Sequence, residues 1–523
     1  MSDTFSGARA LAQKSVRHFV PAAALVLYAV ALAQPINLTC VDLGRHLKNG
    51  ELWLQHHRPL STNRYSYTEP EFPTITHHWG SGVLFFLGWR LVGFTGLHLA
   101  FLAVSLLTLA LVWRRAAQRA GGGVAAALAL LLLPLLVERR EIRPELFSYL
   151  FTAVFLHRLW RFRDEGRTAR SLWLLPLVEI AWVNTHIYFV LGPALIGAFW
   201  LESLACRQQQ ALRAPLLRLL LATIAATLLN PFGWRGAAAP LTIFHEYGYR
   251  ILENQSVWFL ERLITNPNFL VYKVVVVVLA TSFLLAWTVG RQRLITAESL
   301  LAIGLAVMAG RAIRNFALFG LVALPVLAEN LGAVYGSTLT RHRRVLDVAG
   351  LVALLAALVM VWSGARTPLS RLLPPHPRGV GLAAGNSRLA DFITREAVHG
   401  PILNNYDIGS YLIFHLYPRH RVFVDNRPEA YSARFFEQVY VPLQEDEAVW
   451  RRVDGQYHFN AICFYRLDAT PWAQHFLIER VQDAAWAPVF VDDNTILFLR
   501  RQGPDQQVIE RHALPREMFR AGR

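Results

Sequence analysis

The 523-residue chain contains few charged residues and few cysteines. Only 17% of its residues are charged and 54% are hydrophobic, which excludes an ordinary soluble globular protein. Three cysteines, Cys40, Cys206 and Cys463, exclude a disulfide framework, and no C-x-x-C pattern indicates a zinc site. The sequence also lacks the glycine-rich motifs G-x-G-x-x-G and G-x-x-x-x-G-K-[ST], so it predicts no nucleotide-binding phosphate loop.

The charges that are present are mainly basic, with a formal net charge of +16. A nucleic-acid partner would require a basic face, whereas these arginines are spread over many short loops between apolar stretches. That distribution is typical of cytoplasmic loops of membrane proteins, and it argues against nucleic acid. Because the basic loops follow an even number of predicted crossings, we expect a cytoplasmic N-terminus.

The apolar stretches predict a polytopic α-helical membrane protein with about eleven transmembrane helices and a C-terminal extracytoplasmic α/β domain. We expect a transmembrane domain over residues 1–363, with long outer loops at 36–93 and 231–267. The extracytoplasmic domain is expected over residues 364–523.

Strand and helix signals alternate in this C-terminal region, which indicates a small α/β domain. The predicted strands are Pro401–Asn405, Arg421–Val424, Ala461–Tyr465 and a hairpin of Trp486–Val491 with Thr495–Leu499, and Ile408–Leu416 is a predicted helix.

The first outer loop opens on an amphipathic segment that carries Asp42 and His46. On a helix, residues four apart share a face, so a carboxylate and an imidazole would lie together. Asp42 could then act as a general base or hold a metal ion. The alternative is structural, because Thr39 followed by Asp42 resembles a helix-capping sequence.

His77 and His78 follow later in the same loop, beside Trp79. Together with His46 they could form a metal site, although adjacent histidines seldom bind one ion. The alternative is a folded interface loop, anchored by its aromatic residues at the level of the lipid headgroups.

Arginines also occur in loops where the positive-inside rule predicts few of them. Arg139, Arg140 and Arg143 are interspersed with acidic residues, so internal salt bridges are one explanation. Arg311 and Arg314 have no acidic residue nearby in the sequence, which favours phosphate binding at a junction between two predicted spans.

Asn184 and His186 lie at another predicted outer span end. Polar residues at membrane depth are functional hypotheses. The alternative is that they end a helix and form hydrogen bonds between spans.

The first loop resembles a motif of the GT-C superfamily of membrane glycosyltransferases, which includes relatives of the protein O-mannosyltransferases and the oligosaccharyltransferase catalytic subunits. An uncharacterised bacterial branch has the form D-x-D-x-W-W-H-L-x-x-G. The second acid, the histidine, the leucine and the glycine match at Asp42, His46, Leu47 and Gly50. The first acid is replaced by Cys40, and both tryptophans are replaced by Gly44 and Arg45.

This resemblance implies an inverting transferase that moves a sugar from a polyprenyl-phosphate donor to an envelope glycan, lipid or protein. The reaction would take place at the outer face of a bacterial inner membrane, with a divalent metal (Mg or Mn) as an optional cofactor. Asp42 and His46 would be catalytic, and Asp42 would also be the metal ligand. The expected substrate-binding residues are His77, His78, Arg139, Arg140, Arg143, Asn184, His186, Arg311 and Arg314.

A second hypothesis is a non-catalytic membrane protein, either a lipid-carrier transporter or a scaffold for envelope assembly. A transporter predicts polar residues along a path through the membrane, whereas here most of them fall at one face. A scaffold predicts that Asp42→Asn has no effect.

Overall fold

The computed structural model describes most of the chain, namely residues 2–165, 169–243, 247–289, 293–364, 371–373 and 376–519. By its internal contacts the chain divides into two compact units. The helical unit comprises residues 1–35, 98–229 and 251–380. The mixed unit comprises residues 36–97, 230–250 and 381–523. The predicted domain boundary at residue 363 stays a prediction.

Helices make up most of the described chain before residue 364. They are α1 (Ser2–Leu32), α2 (Leu43–His56), α3 (Trp79–Ala120), α4 (Gly122–Leu136), α5 (Glu145–Glu165), α6 (Leu174–Thr185), α7 (Leu191–Ala205), α8 (Arg213–Ala226), α9 (Trp234–Thr242), α10 (Val257–Leu260), α11 (Asn268–Thr288), α12 (Ala297–Arg311), α13 (Phe316–Arg341) and α14 (Arg343–Ser363).

Five helical segments of the described chain are long and apolar enough to cross a membrane, which makes the protein a multi-pass membrane protein. The total of about eleven crossings stays a prediction. The five segments are Trp79–Ala120, Ile187–Ala205, Asn268–Thr288, Ile313–Arg341 and Arg343–Ser363, and two shorter apolar helices cover His18–Leu32 and Gly122–Leu136.

Helix α13 forms the centre of the helical unit, since 72% of its apolar window is buried against 22% for α14. Helices α4 and α14 pack closely because both have glycine at the contact. A Cβ on Gly123 would lie 2.0 Å from the carbonyl oxygen of Leu346, and one on Gly350 would lie 2.9 Å from the Gly123 Cα. Small residues of this kind let helix backbones approach within a membrane.

Two helical segments occupy the predicted first outer loop. The amphipathic segment forms α2, as expected, and α3 already begins at Trp79. The helical path of α3 breaks at Gly93, where φ is 66°, a value that glycine adopts without strain. The span predicted to begin at Phe94 therefore continues a helix that starts fifteen positions earlier, at Trp79.

The C-terminal part of the mixed unit contains a four-stranded sheet with flanking helices. The strands are β1 (Ile402–Asn404), β2 (Ala461–Tyr465), β3 (Trp486–Val491) and β4 (Thr495–Arg500). The helices are α15 (Arg388–Arg395), α16 (Gly409–Leu416), α17 (Ala433–Phe435), α18 (Pro442–Glu445), α19 (Glu447–Tyr457), α20 (Pro471–Gln482) and α21 (Gln506–His512), with a π-helical turn at Phe436–Tyr440.

The sheet has the strand order β1-β2-β4-β3 and mixed pairing. Strands β1 and β2 are parallel, and β4 is antiparallel to both β2 and β3. The predicted hairpin is confirmed, with a register shift between Pro488 and Phe490 on β3. The Leu514 backbone N–H donates to the Pro488 carbonyl oxygen at 2.8 Å, on this outermost strand.

The strand predicted at Arg421–Val424 is wrong, because these residues form only an isolated bridge between Val422 and Ser66. The Asn404 side chain occupies the backbone groups that a ladder would use. Its Oδ1 accepts from the Phe423 N–H at 2.8 Å, and its Nδ2 donates to the Val424 carbonyl oxygen at 2.7 Å. A hydrogen bond from a side chain to these backbone groups competes with strand pairing.

Candidate functional site

Five charged side chains of the helical unit meet in a largely buried group, here called the arginine cluster. It consists of Arg139, Arg143, Arg314, Glu145 and Glu253. Arg139 Nη1 lies 2.6 Å from Glu253 Oε2, and Arg314 Nη2 lies 2.8 Å from Glu145 Oε1. Arg143 Nη1 lies 3.4 Å from Glu253 Oε2. Because no side chain in the cluster is more than 22% exposed, these charges interact more strongly than they would in water.

The cluster is assembled from chain segments at helix ends. Arg139 and Arg143 lie in the loop after α4, and Glu145 is the first residue of α5, where the helix dipole favours an acid. Arg314 lies in the 3-10 turn between α12 and α13, and its Nη1 donates to Asn254 Oδ1 at 2.9 Å.

Three guanidinium groups in the cluster face two carboxylates. Glu141 adds a further acid, 2.9 Å from Arg143, but it is 37% exposed. Burial alone would raise the pKa of Glu253, yet the three arginines outweigh it and hold that pKa well below its usual range. The cluster therefore stays charged, with an excess of buried positive charge.

Within the described part of the chain, some guanidinium N–H groups of Arg139 and Arg314 have no acceptor. Arg139 Nε, Arg139 Nη2 and Arg314 Nε are buried and have no hydrogen-bond partner among the residues that the structure describes. An unsatisfied buried donor costs about 1–3 kcal/mol. Phosphate oxygens would satisfy such donors with charge-assisted hydrogen bonds.

The structure corrects one argument from the sequence and separates the predicted arginines. Arg314 does have acidic partners, but they come from far along the chain: Glu145 is 169 positions away. Arg311 is exposed at the end of α12 and is not in the cluster. Arg140 lies outside the cluster as well, within electrostatic reach of Glu138 and Glu141.

His186 and Asn184 differ in what surrounds them. The fully buried His186 is bonded through Nδ1 to Ser148 Oγ at 2.7 Å, and it lies within electrostatic reach of Glu145. Asn184 Nδ2 donates to the carbonyl oxygens of Ile180 at 2.7 Å and Leu229 at 2.9 Å. Asn184 thus has the bonding of a helix-joining residue, whereas His186 borders the arginine cluster.

In the mixed unit, Asp42 stands at the start of α2 but does not cap it with its side chain. Its Oδ1 accepts a hydrogen bond from Asn426 Nδ2 at 2.5 Å, and its Oδ2 lies 3.9 Å from Arg45 Nη2. The capping explanation for Asp42 is therefore wrong. The side chain is 23% exposed, so the carboxylate is held in place and still open to solvent.

Gly44, which replaces the first motif tryptophan, is explained by close packing against α16. A Cβ on Gly44 would lie 2.8 Å from the Ser410 carbonyl oxygen and 3.0 Å from the Phe414 Cβ. The Arg45 N–H donates to Ser410 Oγ at 2.8 Å. No larger residue fits at position 44 without movement of the α16 backbone.

The three predicted histidines of the first loop lie together. The ring centroids of His46 and His78 are 5.5 Å apart, and those of His77 and His78 are 4.0 Å apart. His46 is buried, and the His77 Nδ1 is 3.0 Å from the Ile75 carbonyl oxygen. The sequence grouped these three histidines in its hypothesis of a metal site, and the structure places the rings of His46 and His78 in contact.

A cavity of about 270 Å³ opens beside His77 within the mixed unit. Its walls are mainly apolar, and Glu429 is its one acidic lining residue among those described. Burial raises the pKa of Glu429, although Arg45 opposes that change. The lining residues are Phe72, Pro73, Thr74, Ile75, His77, Ala239, Thr242, Ile243 and Glu429.

The surroundings of Asp42 do not fit a metal ion. An amide N–H and a guanidinium group face its two oxygens, and Cys40 occupies the position of the first acid. Within the described ranges, no three His, Cys, Asp or Glu side chains are grouped to hold a metal. The geometry fits Asp42 better as a hydrogen-bonded base than as a ligand.

Reasoning from the sequence missed two residues that the structure brings into these groups. Glu253 lies in a loop without a recognisable pattern, so only tertiary structure reveals its partners. Asn426 lies in Asp425-Asn426-Arg427, which the sequence indicates as a ligand-binding loop or a turn after a predicted strand, but its hydrogen bond to Asp42 could not be predicted.

The sequence matches none of the protein-family models and none of the curated proteins. Solved structures do match. The archaeal oligosaccharyltransferase AglB from Archaeoglobus fulgidus aligns with a TM-score of 0.55 and 12% identity, over 94% of this chain and 74% of that one. ArnT from Cupriavidus metallidurans aligns with a TM-score of 0.53 and 16% identity, over 93% and 98%. The chain has a GT-C-like fold.

A mycobacterial arabinofuranosyltransferase, AftD, is also similar, with a TM-score of 0.51 and 16% identity over 94% of this chain and 42% of that one. One AglB structure is a complex with an inhibitory peptide and a dolichol-phosphate. Another, with a TM-score of 0.51 and 13% identity over 92% and 73%, is a complex with Zn and sulfate. At these identities the likeness concerns the fold, and activity has to be argued from the side chains.

Proposed function

We propose that the protein is an inverting glycosyltransferase that uses a polyprenyl-phosphate-linked sugar as donor. The acceptor would be an envelope glycan, lipid or protein at the outer face of a bacterial inner membrane. The cytoplasmic N-terminus and the extracytoplasmic C-terminal domain of this proposal follow from the distribution of basic loops.

One observation carries the proposal: among the residues that the structure describes, no acceptor bonds to the buried Nε and Nη2 of Arg139 or to the buried Nε of Arg314. A structural ion-pair network would be expected to satisfy its donors, because each buried donor left unsatisfied destabilises the fold. A phosphate group supplies several acceptor oxygens and negative charge together. The relative AglB binds a dolichol-phosphate, which is a lipid of this chemical class.

The leaving group in such a transfer is the polyprenyl phosphate, whose negative charge grows as the bond to the sugar breaks. Fixed positive charge lowers the energy of that transition state, and the cluster has three guanidinium groups for the purpose. We assign Arg139, Arg143 and Arg314 to phosphate binding, with Arg140 and Arg311 as outlying contributors. His186 would orient Glu145 and through it Arg314.

Asp42 is the general base of this proposal. Its carboxylate is not engaged in helix capping, and the Asn426 amide fixes the orientation of one oxygen. A base of this kind removes the proton from the acceptor hydroxyl as that oxygen attacks the anomeric carbon. Attack opposite to the leaving phosphate inverts the anomeric centre.

The acceptor would bind in the mixed unit, where His77 lines the cavity of about 270 Å³. His78 packs against the His77 ring, and His46 packs against His78 in turn. We assign these three histidines to shaping the acceptor pocket.

The binding part of this proposal is tested without any sugar. Protein in nanodiscs is titrated with undecaprenyl phosphate and with uncharged undecaprenol. We expect phosphate-dependent binding that weakens about 10- to 100-fold in Arg139→Gln, because a charge-assisted hydrogen bond contributes about 1.5–3 kcal/mol. The matched control is Arg262→Gln, since Arg262 is an exposed arginine outside the cluster. Equal binding of both lipids would contradict the proposal.

The chemical part is tested with radiolabelled polyprenyl-phosphate sugars and a crude envelope acceptor fraction. Wild type is expected to release polyprenyl phosphate, and Asp42→Asn to do so about 10²- to 10⁴-fold more slowly. Parallel reactions with EDTA, Mg²⁺ or Mn²⁺ test metal dependence. Equal turnover by both proteins would remove Asp42 from the chemistry. Lipid binding without turnover of any donor would favour a transporter or scaffold.

A further inference from the structure

The cavity of about 270 Å³ in the mixed unit has a mainly apolar wall that reaches the protein surface. Phe72, Ile75 and Ile243 are among its lining residues, and two others, Pro73 and Thr242, are exposed to solvent. A cavity of this size takes one small group at a time. The few polar groups on its wall decide which group that is.

Most polar side chains on this wall are already engaged or uncharged. His77 Nδ1 lies 3.0 Å from the Ile75 carbonyl oxygen, and Thr242 Oγ1 lies 3.5 Å from the Ala239 carbonyl oxygen. Among the described lining residues there is no lysine or arginine, and Glu429 is the only acid. The fixed charge on the wall is therefore negative, although the whole chain has a net charge of +16.

Glu429 is held in a rigid turn. It is the middle residue of the 3-10 turn Pro428–Ala430, in which the Ala430 N–H donates to the Arg427 carbonyl oxygen at 3.0 Å. Arg427 is itself fixed by two hydrogen bonds to the Asp425 carboxylate, each of 2.7 Å. The carboxyl group of Glu429 is thus presented to the cavity without an ordering cost when a ligand binds.

Glu429 forms no ion pair with any residue that the structure describes. Arg45 is the charge with the largest effect on Glu429, but it is not in ion-pair contact with it. A half-buried carboxylate without a cation in contact is costly, and a positively charged ligand would offset that cost. The same Arg45 guanidinium lies 3.9 Å from Asp42, so the cavity lies near the proposed base.

The wall disfavours two of the three kinds of ligand that could bring a positive charge. An amino sugar would place several hydroxyl groups against apolar side chains, where they would stay unsatisfied. An aminophospholipid headgroup carries a phosphate beside its ammonium group, and Glu429 would repel that phosphate. A lysine side chain has an apolar stem, one ammonium group and no negative charge, so it matches both the apolar wall and the carboxylate.

We propose that this cavity binds a lysine side chain of a polypeptide acceptor, with its stem against Phe72, Ile75 and Ile243 and its ammonium group paired with the Glu429 carboxylate. This inference rests on the proposed glycosyltransferase function and selects protein from the acceptor classes named there. Glu429 determines acceptor specificity and does not touch the reacting atoms.

Binding of the lysine would hold a hydroxyl side chain of the same polypeptide near Asp42. The hydroxyl proton passes to the Asp42 carboxylate while the hydroxyl oxygen forms the bond to the anomeric carbon. The bond from that carbon to the phosphate oxygen breaks, and its electron pair leaves on the polyprenyl phosphate.

Binding is tested first without turnover, by saturation-transfer NMR on the full chain in phosphatidylcholine nanodiscs. The probe is N-acetyl-lysine methylamide, and N-acetyl-norleucine methylamide is its uncharged match. We expect a signal about threefold larger for the lysine probe, a preference that is lost in Glu429→Gln and kept in the control Glu437→Gln, since Glu437 is exposed. Equal signals from the two probes, or an unchanged preference in Glu429→Gln, overturn the inference. A larger signal from glucosamine or phosphoethanolamine overturns it as well.

Cross-linking of the wild-type chain locates the ammonium group without any substitution. A water-soluble carbodiimide joins an amine to a carboxylate that it contacts, and mass spectrometry identifies the modified residue. We expect an adduct of the lysine probe at Glu429 that saturates with probe concentration, whereas the adduct at the exposed Glu437 should rise in proportion to it. Absence of the Glu429 adduct, or a rise without saturation, overturns the inference.

Turnover separates this inference from the proposed function. Serine peptides that contain either lysine or norleucine are offered as acceptors together with a radiolabelled donor. We expect a KM about tenfold lower for the lysine peptide at a similar kcat, and Glu429→Gln should remove that difference, because the ion pair forms on binding and not in the chemical step. Lysine binding by a protein that turns over no donor would sink the proposed function alone. Turnover of both peptides with equal KM would sink this inference alone.

Discussion

The pKa values of two carboxyl groups, one in each unit, are shifted in opposite directions, although both groups lie away from bulk water. In the helical unit, Glu253 is surrounded by Arg139, Arg143 and Arg314, and its pKa lies far below the ordinary value. In the mixed unit, Asp407 has carboxylates as its charged neighbours, and its pKa is raised to about 7 by burial and by those neighbours. Burial acts in the same direction on both groups, so the neighbouring charges decide the outcome.

The difference assigns different chemistry to the two units. A permanently charged cluster with an excess of guanidinium groups suits the binding of an anion. A carboxyl group that changes its protonation near neutral pH suits proton transfer. Four substitutions test this contrast, in order of decreasing expected effect.

Removing Arg314 should have the largest effect, because Glu145 would lose its 2.8 Å ion-pair partner at a buried position. We expect Arg314→Met to destabilise the helical unit by about 3–5 kcal/mol, measured as a fall in the thermal unfolding temperature in detergent. The double variant Arg314→Met/Glu145→Gln should recover most of that stability but not the binding of undecaprenyl phosphate. Recovery of both properties would mean that the cluster is only structural.

Gly44→Ala tests the packing of α2, the helix that Asp42 begins, and leaves the charge of Asp42 unchanged. The new Cβ would lie 2.8 Å from the Ser410 carbonyl oxygen, so α2 and α16 must separate, at about 1–3 kcal/mol. The matched control is Gly455→Ala in α19, where nothing lies within 4 Å, and alanine there should stabilise the helix by about 0.5–1 kcal/mol. Similar unfolding temperatures for the two variants would show that the packing at Gly44 is adaptable.

The raised pKa of Asp407 predicts how stability depends on pH. The folded state holds the Asp407 proton more tightly than the unfolded state. The stabilisation that this proton gives the folded state is therefore fully present below pH 3.8 and is lost as pH rises to about 7. The Asp407→Asn variant has no carboxyl group to ionise at this position. Above pH 7 its free energy of unfolding should therefore exceed that of wild type by about 1–3 kcal/mol, which a higher unfolding temperature would show. At pH 4 the two proteins should be nearly equal. A constant difference across this range would contradict the assigned pKa.

The smallest effect is expected at Arg311, the predicted phosphate ligand that is exposed and outside the cluster. An exposed charge contributes about 0.2–1 kcal/mol and is screened by salt. We therefore expect Arg311→Gln to weaken undecaprenyl phosphate binding by two- to fivefold at low salt, and less at high salt. A loss as large as that in Arg139→Gln would place Arg311 beside the lipid phosphate.

The sequence predicts some parts of this molecule well. Apolar length predicts helices over Asn268–Val289 and Val345–Trp362, close to the observed α11 and α14, and the alternation around Asp492-Asp493-Asn494 predicts the hairpin of β3 and β4. These features depend on local hydrophobic pattern and turn composition. The failure at Arg421–Val424 has a long-range cause, the side-chain amide of Asn404, which no local pattern contains.

The sites follow the same rule. Asp42 and His46 can be selected from one loop because residues four apart are predicted to share a helix face. The partners that determine their chemistry cannot be selected in this way, because Asn426 is 384 positions from Asp42 and Glu145 is 169 positions from Arg314. Such pairings depend on tertiary structure. The sequence can therefore indicate candidate residues such as Asp42 and Arg314, but not the side chains that contact them.

The register shift at Pro488 has a consequence for how the molecule behaves beside its own copies. Strand β3 is the last strand of the sheet, and an open last strand can recruit a strand from another chain. Pro488 has no N–H to offer, the shift bends the strand, and Leu514 occupies the Pro488 carbonyl oxygen. We therefore expect copies of the C-terminal sheet not to pair with one another through β3, even where many copies of the protein lie close together.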